Sequence, residues 1–355
     1  MLINPFKSKK TGEFTALDFG HNSLKLVHCK LEKEQIVLRD WQKQRLPAGV
    51  INEGIVDNAS ILKVAVSNLL HNTAYKPGKL LIAPAPGQEF IHRLRLPDIA
   101  EENIQEVLDN KLETHLSLSP DDVYSDYLIL DEQENCWQIL LLAVPGGVLE
   151  GYRKLFKNNP FYPQVANFQS LALVSLLRYQ NKLNNVSLIV NMDIVKSRLV
   201  IADADDFYAD IITELGGKDF SWVFKDEQKG WSEEDISSMK RAMNTKTIEE
   251  DSQAEKLAEN LQEEIEAAIK EQEKKFPGHP VADIYITGGG FRLQGLKDYL
   301  EEKLSFDITV IEPMEGIKLD MIESSQNERK LYLEDKNMIS TALGLVASEV
   351  LHDEG

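Results

Sequence analysis

Short apolar runs separated by polar turns open the chain and predict a β-sheet. Residues 14–19 and 24–29 flank a polar turn around Gly20, the pattern of a β-hairpin, and a third apolar run covers 35–38. Apolar residues then recur at helical spacing from 61 to 70, with Asp57 or Asn58 as the N-cap, before a strand over 79–83. The predicted order of this first segment is βββαβ.

The pattern changes after residue 84 and then returns to its opening form. Strands and helices alternate in a predicted α+β subdomain, with elements over 90–96, 100–116, 124–130, 137–143 and 147–157. A second hairpin over 188–201 repeats the pattern of the first, and a buried strand over 282–286 leads into the turn Gly288-Gly289-Gly290 and a helix to about 304. The repeated hairpin indicates an internal repeat of architecture.

A long charged helix is predicted over 247–275. Its apolar residues form one stripe, made of Ala254, Leu257, Ala258, Leu261, Ile265, Ala268 and Ile269. The stripe follows spacings of three and four for only a few turns, which favours packing on a subdomain over a coiled-coil dimer seam.

Composition and charge narrow the class of protein. A chain of 355 residues with 43% hydrophobic and 27% charged residues is expected to form two soluble domains. No apolar run is long enough to span a membrane, so we expect a cytoplasmic protein. The net charge of -19 repels phosphate and argues against nucleic acid as the main partner.

Two turns carry the residues that could bind a nucleotide. The first hairpin holds Asp18, Gly20, Ser23 and Lys25, where a glycine lets the backbone approach a ligand, a carboxylate can hold Mg²⁺ through water, and Ser or Lys can meet phosphate. The turn at Gly288 and Gly289 joins a buried strand to a helix, which is the shape of a phosphate loop. Either turn could also be purely structural, the hairpin as an ordinary polar turn and the glycines for close helix–strand packing.

Several longer segments then resemble one family. Two hairpin-led halves and a late glycine turn resemble the actin-like superfamily, and the match is tighter to PilM, the type IV pilus assembly protein. The segments that carry this resemblance are 46–57, 93–97, 104–118, 122–127, 284–290, 310–314 and 341–345. They extend over nearly the whole chain, and the segments within the α+β subdomain are the most specific.

The resemblance implies an α/β fold of the actin-like (ASKHA) class, with two ribonuclease-H-like domains and inserted subdomains in an FtsA/PilM-like arrangement. The first domain is expected over residues 12–83 and 160–185, interrupted by the inserted α+β subdomain at 84–159. The second is expected over 186–355, with a helical subdomain at about 216–283.

This sequence departs from the family at the residues that would contact a nucleotide. His21 and Asn22 follow Gly20 where small hydroxyl residues are usual, and Asp193 replaces a glycine in the second hairpin. The acidic residue that normally precedes a lysine by three positions is Ser237, ahead of Lys240. We therefore expect no required cofactor, no catalytic residues and no enzymatic activity. Any ATP and Mg²⁺ is expected to bind weakly, with Asp18 near the metal through water.

The resemblance also implies a scaffold that binds a membrane protein. It predicts that the short cytoplasmic tail of a PilN-like bitopic protein lies extended in a cleft between the first domain and the inserted subdomain and holds the chain at the inner face of the cytoplasmic membrane. Pilus motor ATPases, the platform protein and a second copy of the chain are further candidate partners. The residues proposed for the tail, all apolar, are Leu94, Leu96, Ile104, Val107, Leu108, Leu112 and Leu116.

Other functions stay open at this point. An active ATPase or phosphotransferase of the same fold is one alternative, although Asp193 argues against it. An FtsA-like division protein or a GspL-like secretion scaffold is another, although the acidic C-terminus argues against the membrane-binding helix of the former.

Overall fold

The computed structural model describes residues 11–73, 75–76, 78–97, 103–116, 120–133, 136–157, 159–220, 248, 252–293, 295–321 and 336–351. The chain divides into two compact units. Unit 1 contains residues 1–182, 205–207 and 313–355, and unit 2 contains residues 183–204 and 208–312.

The secondary structure alternates strands and helices along the whole described chain. The strands are β1 (Thr11–Phe19), β2 (Ser23–Glu32), β3 (Gln35–Arg45), β4 (Ile51–Asn52), β5 (Ile55–Val56), β6 (Lys79–Ala83), β7 (Phe90–Pro97), β8 (Val123–Gln133), β9 (Cys136–Pro145), β10 (Val165–Ala166), β11 (Ser187–Met192), β12 (Ser197–Ala202), β13 (Phe207–Thr213), β14 (Asp283–Thr287), β15 (Ile308–Val310) and β16 (Lys318–Leu319). The helices are α1 (Ala59–Asn72), α2 (Ile104–Leu116), α3 (Gly146–Leu155), α4 (Gln169–Tyr179), α5 (Gln253–Lys275), α6 (Leu296–Leu304) and α7 (Ser340–Leu351).

The two main sheets share one strand order, which confirms the predicted internal repeat. Unit 1 has the order β10-β6-β1-β2-β3-β16, and the second sheet has the order β13-β12-β11-β14-β15. In each sheet an antiparallel hairpin, β1–β2 or β11–β12, is followed on its first strand by parallel strands. Parallel pairing needs a crossover connection, and this is why a helix or a larger segment separates those strands in sequence.

The inserted subdomain is a separate layer within unit 1. Its sheet has the order β7-β9-β8, and α2 covers one face of that sheet. The predicted strands match β7, β8 and β9 to within a few residues, whereas α2 begins at Ile104 rather than at residue 100. Residues 98–102 lie outside the described part, so the start of the predicted helix is not covered.

The C-terminal segment corrects the predicted domain division. We expected the second domain to run to residue 355, but residues 313–355 belong to unit 1. β16 adds to β3 as a parallel edge strand, and α7 packs on α4 and β1. Lys79 at the start of β6 donates to the buried carboxylate of Glu349 at 2.5 Å, which fixes α7 to the sheet.

The charged helix packs within unit 2, as the favoured interpretation predicted. Ser252 is the N-cap of α5, and its hydroxyl accepts from the Glu255 N–H. The apolar stripe from Ala258 to Ile269 joins the core formed by the second sheet and α6. Residues 221–247, the rest of the expected helical subdomain, lie outside the described part. Among the described residues, no helix is both long and apolar enough to cross a membrane.

We predict that Gly344→Ala destabilises the protein. Alanine normally stabilises a helix by about 1 kcal/mol relative to glycine, but a Cβ on Gly344 would lie 2.0 Å from the Ala172 carbonyl oxygen of α4. Forcing α4 and α7 apart should lower the free energy of unfolding by about 2 kcal/mol, measured by denaturant titration. Gly147→Ala is the matched control, because no described heavy atom lies within 4 Å of its Cβ. Equal effects of the two substitutions would contradict the close approach.

Candidate functional site

The candidate metal ligand lies at the end of β1 in a buried polar cluster. Asp18 pairs in register with Lys25 of β2, and the Lys25 ammonium lies 3.1 Å from Asp18 Oδ2. Gln169, the first residue of α4, donates from Nε2 to Asp18 Oδ1 at 2.8 Å and to the Phe19 carbonyl at 3.0 Å. Asp18, Lys25 and Gln169 are all buried.

This cluster neutralises the aspartate from within the protein. One carboxylate oxygen faces an ammonium and the other accepts from an amide, so a metal ion or a phosphate would compete with contacts that the fold already makes. Removing either member of a buried ion pair leaves an uncompensated charge and is strongly destabilising. The cluster therefore has a structural role whether or not a ligand binds beside it.

The turn that follows Asp18 is tight. The Gly20 N–H donates to the Ser23 carbonyl at 2.9 Å, which leaves only His21 and Asn22 at the tip. The Asn22 carbonyl accepts from the Leu46 N–H at 2.8 Å, and Ser23 is buried. The predicted contact residues Gly20, Asn22 and Ser23 are thus brought together at one hairpin end, next to Asp18 and Lys25.

The second hairpin closes in the same way around the residue that departs from the family. The Asp193 N–H donates to the Lys196 carbonyl at 3.1 Å, and the Asp193 carbonyl accepts from the Gly217 N–H at 2.9 Å. The Lys218 N–H donates to the Ile194 carbonyl at 2.8 Å. Residues 217 and 218 therefore hold the main chain of this turn in place.

The glycine turn packs directly on the second hairpin. Gly288 has φ +96°, and a Cβ there would lie 2.3 Å from the Met192 carbonyl oxygen. A Cβ on Gly290 would lie 2.2 Å from the Met192 sulfur, which is fully buried. Close packing inside unit 2 is thus sufficient to require glycine at both positions. The turn continues as a 3-10 helix over Gly289–Arg292, and the predicted following helix is α6, which begins only at Leu296.

The other candidates for nucleotide contact divide between the units and the uncovered segments. Gly288 and Gly289 belong to unit 2, whereas Asp18, Gly20, Asn22, Ser23 and Lys25 belong to unit 1. Ser237 and Lys240 lie outside the described residues. Within the described part of the chain, no group of three His, Cys, Asp or Glu residues could hold a metal ion.

Most residues predicted to bind the partner's tail form a hydrophobic core instead of a surface. Five of them are buried between α2 and its sheet, namely Leu94, Leu96, Ile104, Leu108 and Leu112. Val107 is partly buried against the same cluster, and the Leu116 side chain lies outside the described part. Because α2 lies on the sheet, its wide apolar stripe is satisfied by β7 and β9, and buried side chains offer no docking surface in this structure.

The structure contains an open pocket at the boundary where the resemblance implies a cleft, lined by residues that the sequence did not identify. It lies where β6 and β10 of the main sheet approach β9 and α3 of the inserted subdomain, and its cavity volume is about 20 Å³. The apolar lining residues are Pro84, Ala85, Val144, Val148, Leu149, Ala166 and Phe168. Gln88, Glu89 and Asn167 add polar groups. These residues come from three segments that are distant in sequence. In the sequence, only the change of pattern at 84–87 indicated a boundary between the first domain and the inserted subdomain.

Tyr152 of α3 fixes one wall of this pocket. Its buried hydroxyl accepts from the Ala85 N–H at 3.0 Å and donates to the Gly54 carbonyl at 2.9 Å. Its ring meets Phe19 edge-on, with the centroids 5.0 Å apart. Burial raises the pKa of this phenol, so it remains a donor throughout the physiological range.

We predict that the two outer glycines of the 288–290 turn respond differently to alanine. The Cβ of Gly290→Ala would meet a flexible side chain, so Met192→Ala should recover much of the lost stability, whereas the Cβ of Gly288→Ala would meet backbone. Each single glycine substitution should cost about 1–3 kcal/mol, and a double-mutant cycle with Met192→Ala in urea measures the coupling. If Met192→Ala rescues both substitutions or neither, this packing explanation is wrong.

Comparisons with known proteins identify the family. The solved structure described as "PilM-PilN type IV pilus biogenesis complex" is similar with a TM-score of 0.81 and 19% identity, covering 95% of this chain and 98% of that chain. The ethanolamine utilization protein EutJ from Carboxydothermus hydrogenoformans is similar with a TM-score of 0.55 and 12% identity, covering 98% of this chain and 92% of that chain. No curated protein matches the sequence.

These likenesses and the repeated strand order confirm the predicted actin-like α/β fold. The family described as "Type IV pilus assembly protein PilM" matches residues 16–348. The chain belongs to the family of the type IV pilus assembly protein PilM.

Proposed function

We propose that this protein is a scaffold of type IV pilus assembly that binds the short cytoplasmic tail of a PilN-like membrane protein. The observation that carries the proposal is the open apolar pocket between the main sheet of unit 1 and the inserted subdomain. The similar solved structure is described as a complex of PilM with PilN, which supports the same class of partner. Binding this tail holds the protein at the inner face of the cytoplasmic membrane.

The pocket has the chemistry that an extended peptide needs. Its lining is mainly aliphatic, with Val148 and Leu149 on α3 opposite Ala85 and Ala166 at the ends of β6 and β10. A cavity of about 20 Å³ holds at most the tip of one side chain of the tail. Apolar side chains of the tail give binding energy by burial against this lining.

The pocket also replaces the docking residues predicted from sequence. The α2 stripe is committed to the core of the inserted subdomain, whereas the pocket walls are held without filling the space between them. Tyr152 ties α3 to the backbone at Ala85 and Gly54, so the two walls are pre-organised before a peptide arrives. Pre-organised walls lower the entropic cost of binding.

We predict that Ala166→Phe blocks the tail. The larger ring would fill the pocket and weaken binding by at least about tenfold, and because Ala166 is buried the added volume should also lower the free energy of unfolding by about 1–3 kcal/mol. The measurement is calorimetry with a synthetic peptide of the PilN-like tail, together with thermal unfolding. Val64→Phe is the matched control, because Val64 is an exposed residue of α1 and does not line the pocket.

A folded Ala166→Phe variant that binds the tail as tightly as the unmodified protein would overturn this assignment. Should Ala166→Phe fail to fold, Val148→Phe narrows the same pocket from α3 and gives the same test. A tail that binds normally to both folded variants would place its site elsewhere.

We further propose that nucleotide binding is weak and that turnover is not part of the function. Asp193 brings a negative charge and a Cβ to a turn where the family has glycine, and both oppose an incoming phosphate. In unit 1 the Asp18 carboxylate is already neutralised by Lys25 and Gln169, so binding of Mg²⁺ to this carboxylate would gain little free energy. These two features support a scaffold that works through surfaces.

We predict that Asp193→Gly strengthens the binding of Mg²⁺-ATP. The unmodified protein should bind with a Kd weaker than about 1 μM and turn over more slowly than about 1 s⁻¹. The substitution should improve the affinity by roughly tenfold, since it removes one repulsive charge near phosphate. Calorimetry measures the affinity, and phosphate release measures turnover.

Asp307→Gly is the matched control, because Asp307 is an exposed acid in the connection between α6 and β15 of the same unit. It should leave ATP affinity unchanged. Submicromolar affinity in the unmodified protein, or rapid turnover, would show that the departures from the family do not disable the site.

A further inference from the structure

One edge of the inserted subdomain is open. In its sheet β9 lies between β7 and β8, and in the described part of the chain no other strand pairs with β8. β8 runs in regular antiparallel register with β9 from Val123 to Ile129, and a bulge between Ile129 and Asp131 ends the regular ladder. An edge of this length presents a row of backbone groups to which another extended segment can add.

The edge is strongly acidic. No lysine or arginine occurs between Lys111 and Arg153, and the described acidic side chains along and just before β8 include Asp121, Asp122, Asp126 and Asp131. Asp121, Asp122 and Asp131 are exposed, and so is the apolar side chain of Ile129 at 43%. Natural edge strands are commonly protected by lysine, and this one carries only the opposite charge.

Asp126 lies in the middle of this edge strand. Its Oδ1 accepts from the Tyr127 N–H at 2.9 Å. Ladder N–H groups donate to carbonyls of the partner strand, so an N–H that a side chain takes is one that faces the open edge. Asp126 is half-buried, and this burial raises the pKa of its carboxyl. An incoming strand would take over the N–H and leave the carboxylate to be neutralised by a cation.

We propose that the β8 edge is a second docking surface, which accepts an extended basic segment of a partner protein as a fourth strand of the sheet. The negative charge of the β8 edge determines which kind of segment can pair with it. Two copies of this chain would bring their acidic edges together, and each copy carries a net charge of -19, so pairing of β8 with β8 is opposed. A segment with alternating apolar and basic residues instead matches the carboxylates with cations and contacts Ile129 with its apolar face. This surface differs from the pocket at Ala166.

The test uses the full chain and two short synthetic peptides. In one peptide lysine alternates with valine, and in the other glutamate replaces each lysine. Fluorescence anisotropy at low salt should show the lysine peptide binding at least about tenfold more tightly than the glutamate peptide. Hydrogen exchange should show new protection at residues 123–129, and protection confined to other segments would overturn the proposal.

The double substitution Asp121→Lys with Asp131→Lys should weaken binding of the lysine peptide by about tenfold, since two attractive charges become repulsive. The matched control, Glu302→Lys with Asp307→Lys, changes the net charge equally at exposed acids of unit 2 and should leave affinity within about twofold. Equal losses in both variants would mean that only overall charge matters and would overturn the proposal. The same conclusion follows if the lysine peptide fails to bind at millimolar concentration, or if β8 becomes protected in a concentration-dependent dimer.

Discussion

The architecture of unit 1 depends on the neutralisation of one buried carboxylate. β1 lies between β2 and β6, so Asp18 at its end has little access to water and would be costly as an isolated charge. Lys25 of the neighbouring strand β2 and Gln169 at the start of α4 both contact the Asp18 carboxylate. The contact joins two strands to the helix on which α7 packs, so the C-terminal segment also relies on it. The packing of this region therefore rests on the same carboxylate that was predicted as a candidate metal ligand.

At the equivalent place in unit 2, Arg198 lies opposite Asn191 in register, and its guanidinium forms a buried ion pair with Asp210 of β13. Gly288 and Gly290 let the end of β14 approach Met192 at the end of β11, and the Met192 side chain fills the space that the glycines leave. In both units the end of the first hairpin strand is thus occupied by groups of the protein itself. The positions proposed for nucleotide contact therefore make internal contacts of the protein, which supports the proposed role through binding surfaces.

The sequence predicted local structure well because local structure depends on near neighbours. The apolar run at Lys79–Ala83 became β6 with the expected bounds, and Asn58 caps α1 through its side chain, as one of two candidates predicted. Periodicity could not tell which unit would contain α7, because a helix that is buried on nearly all sides fits any core. Its position follows from the tight approach of Gly344 to Ala172, a contact between residues far apart in sequence.

The same limit of hydrophobic periodicity explains why the apolar residues of α2 were predicted as a docking surface. An apolar stripe on α2 has one appearance whether it faces a groove or a sheet, and here it faces the sheet. The residues that line the pocket were not predicted, because they come from three segments near 85, 148 and 166. Each segment alone has the pattern of an ordinary strand end or helix face. At the turns proposed for nucleotide contact, by contrast, a single substitution such as Asp193 could be recognised in the sequence. One charge or one Cβ is enough to change whether such a turn can bind phosphate.

The inserted subdomain combines two surfaces with different physics. The pocket beside α3 is apolar and gains affinity by excluding water, a term that salt hardly weakens. The β8 edge is charged, and its attraction for a cationic segment fades beyond about 10 Å at moderate salt. The acidic edge would therefore govern how fast and how selectively a basic partner arrives, while the pocket would govern how long a tail stays bound. A scaffold with both can hold one partner firmly and exchange another without any nucleotide cycle.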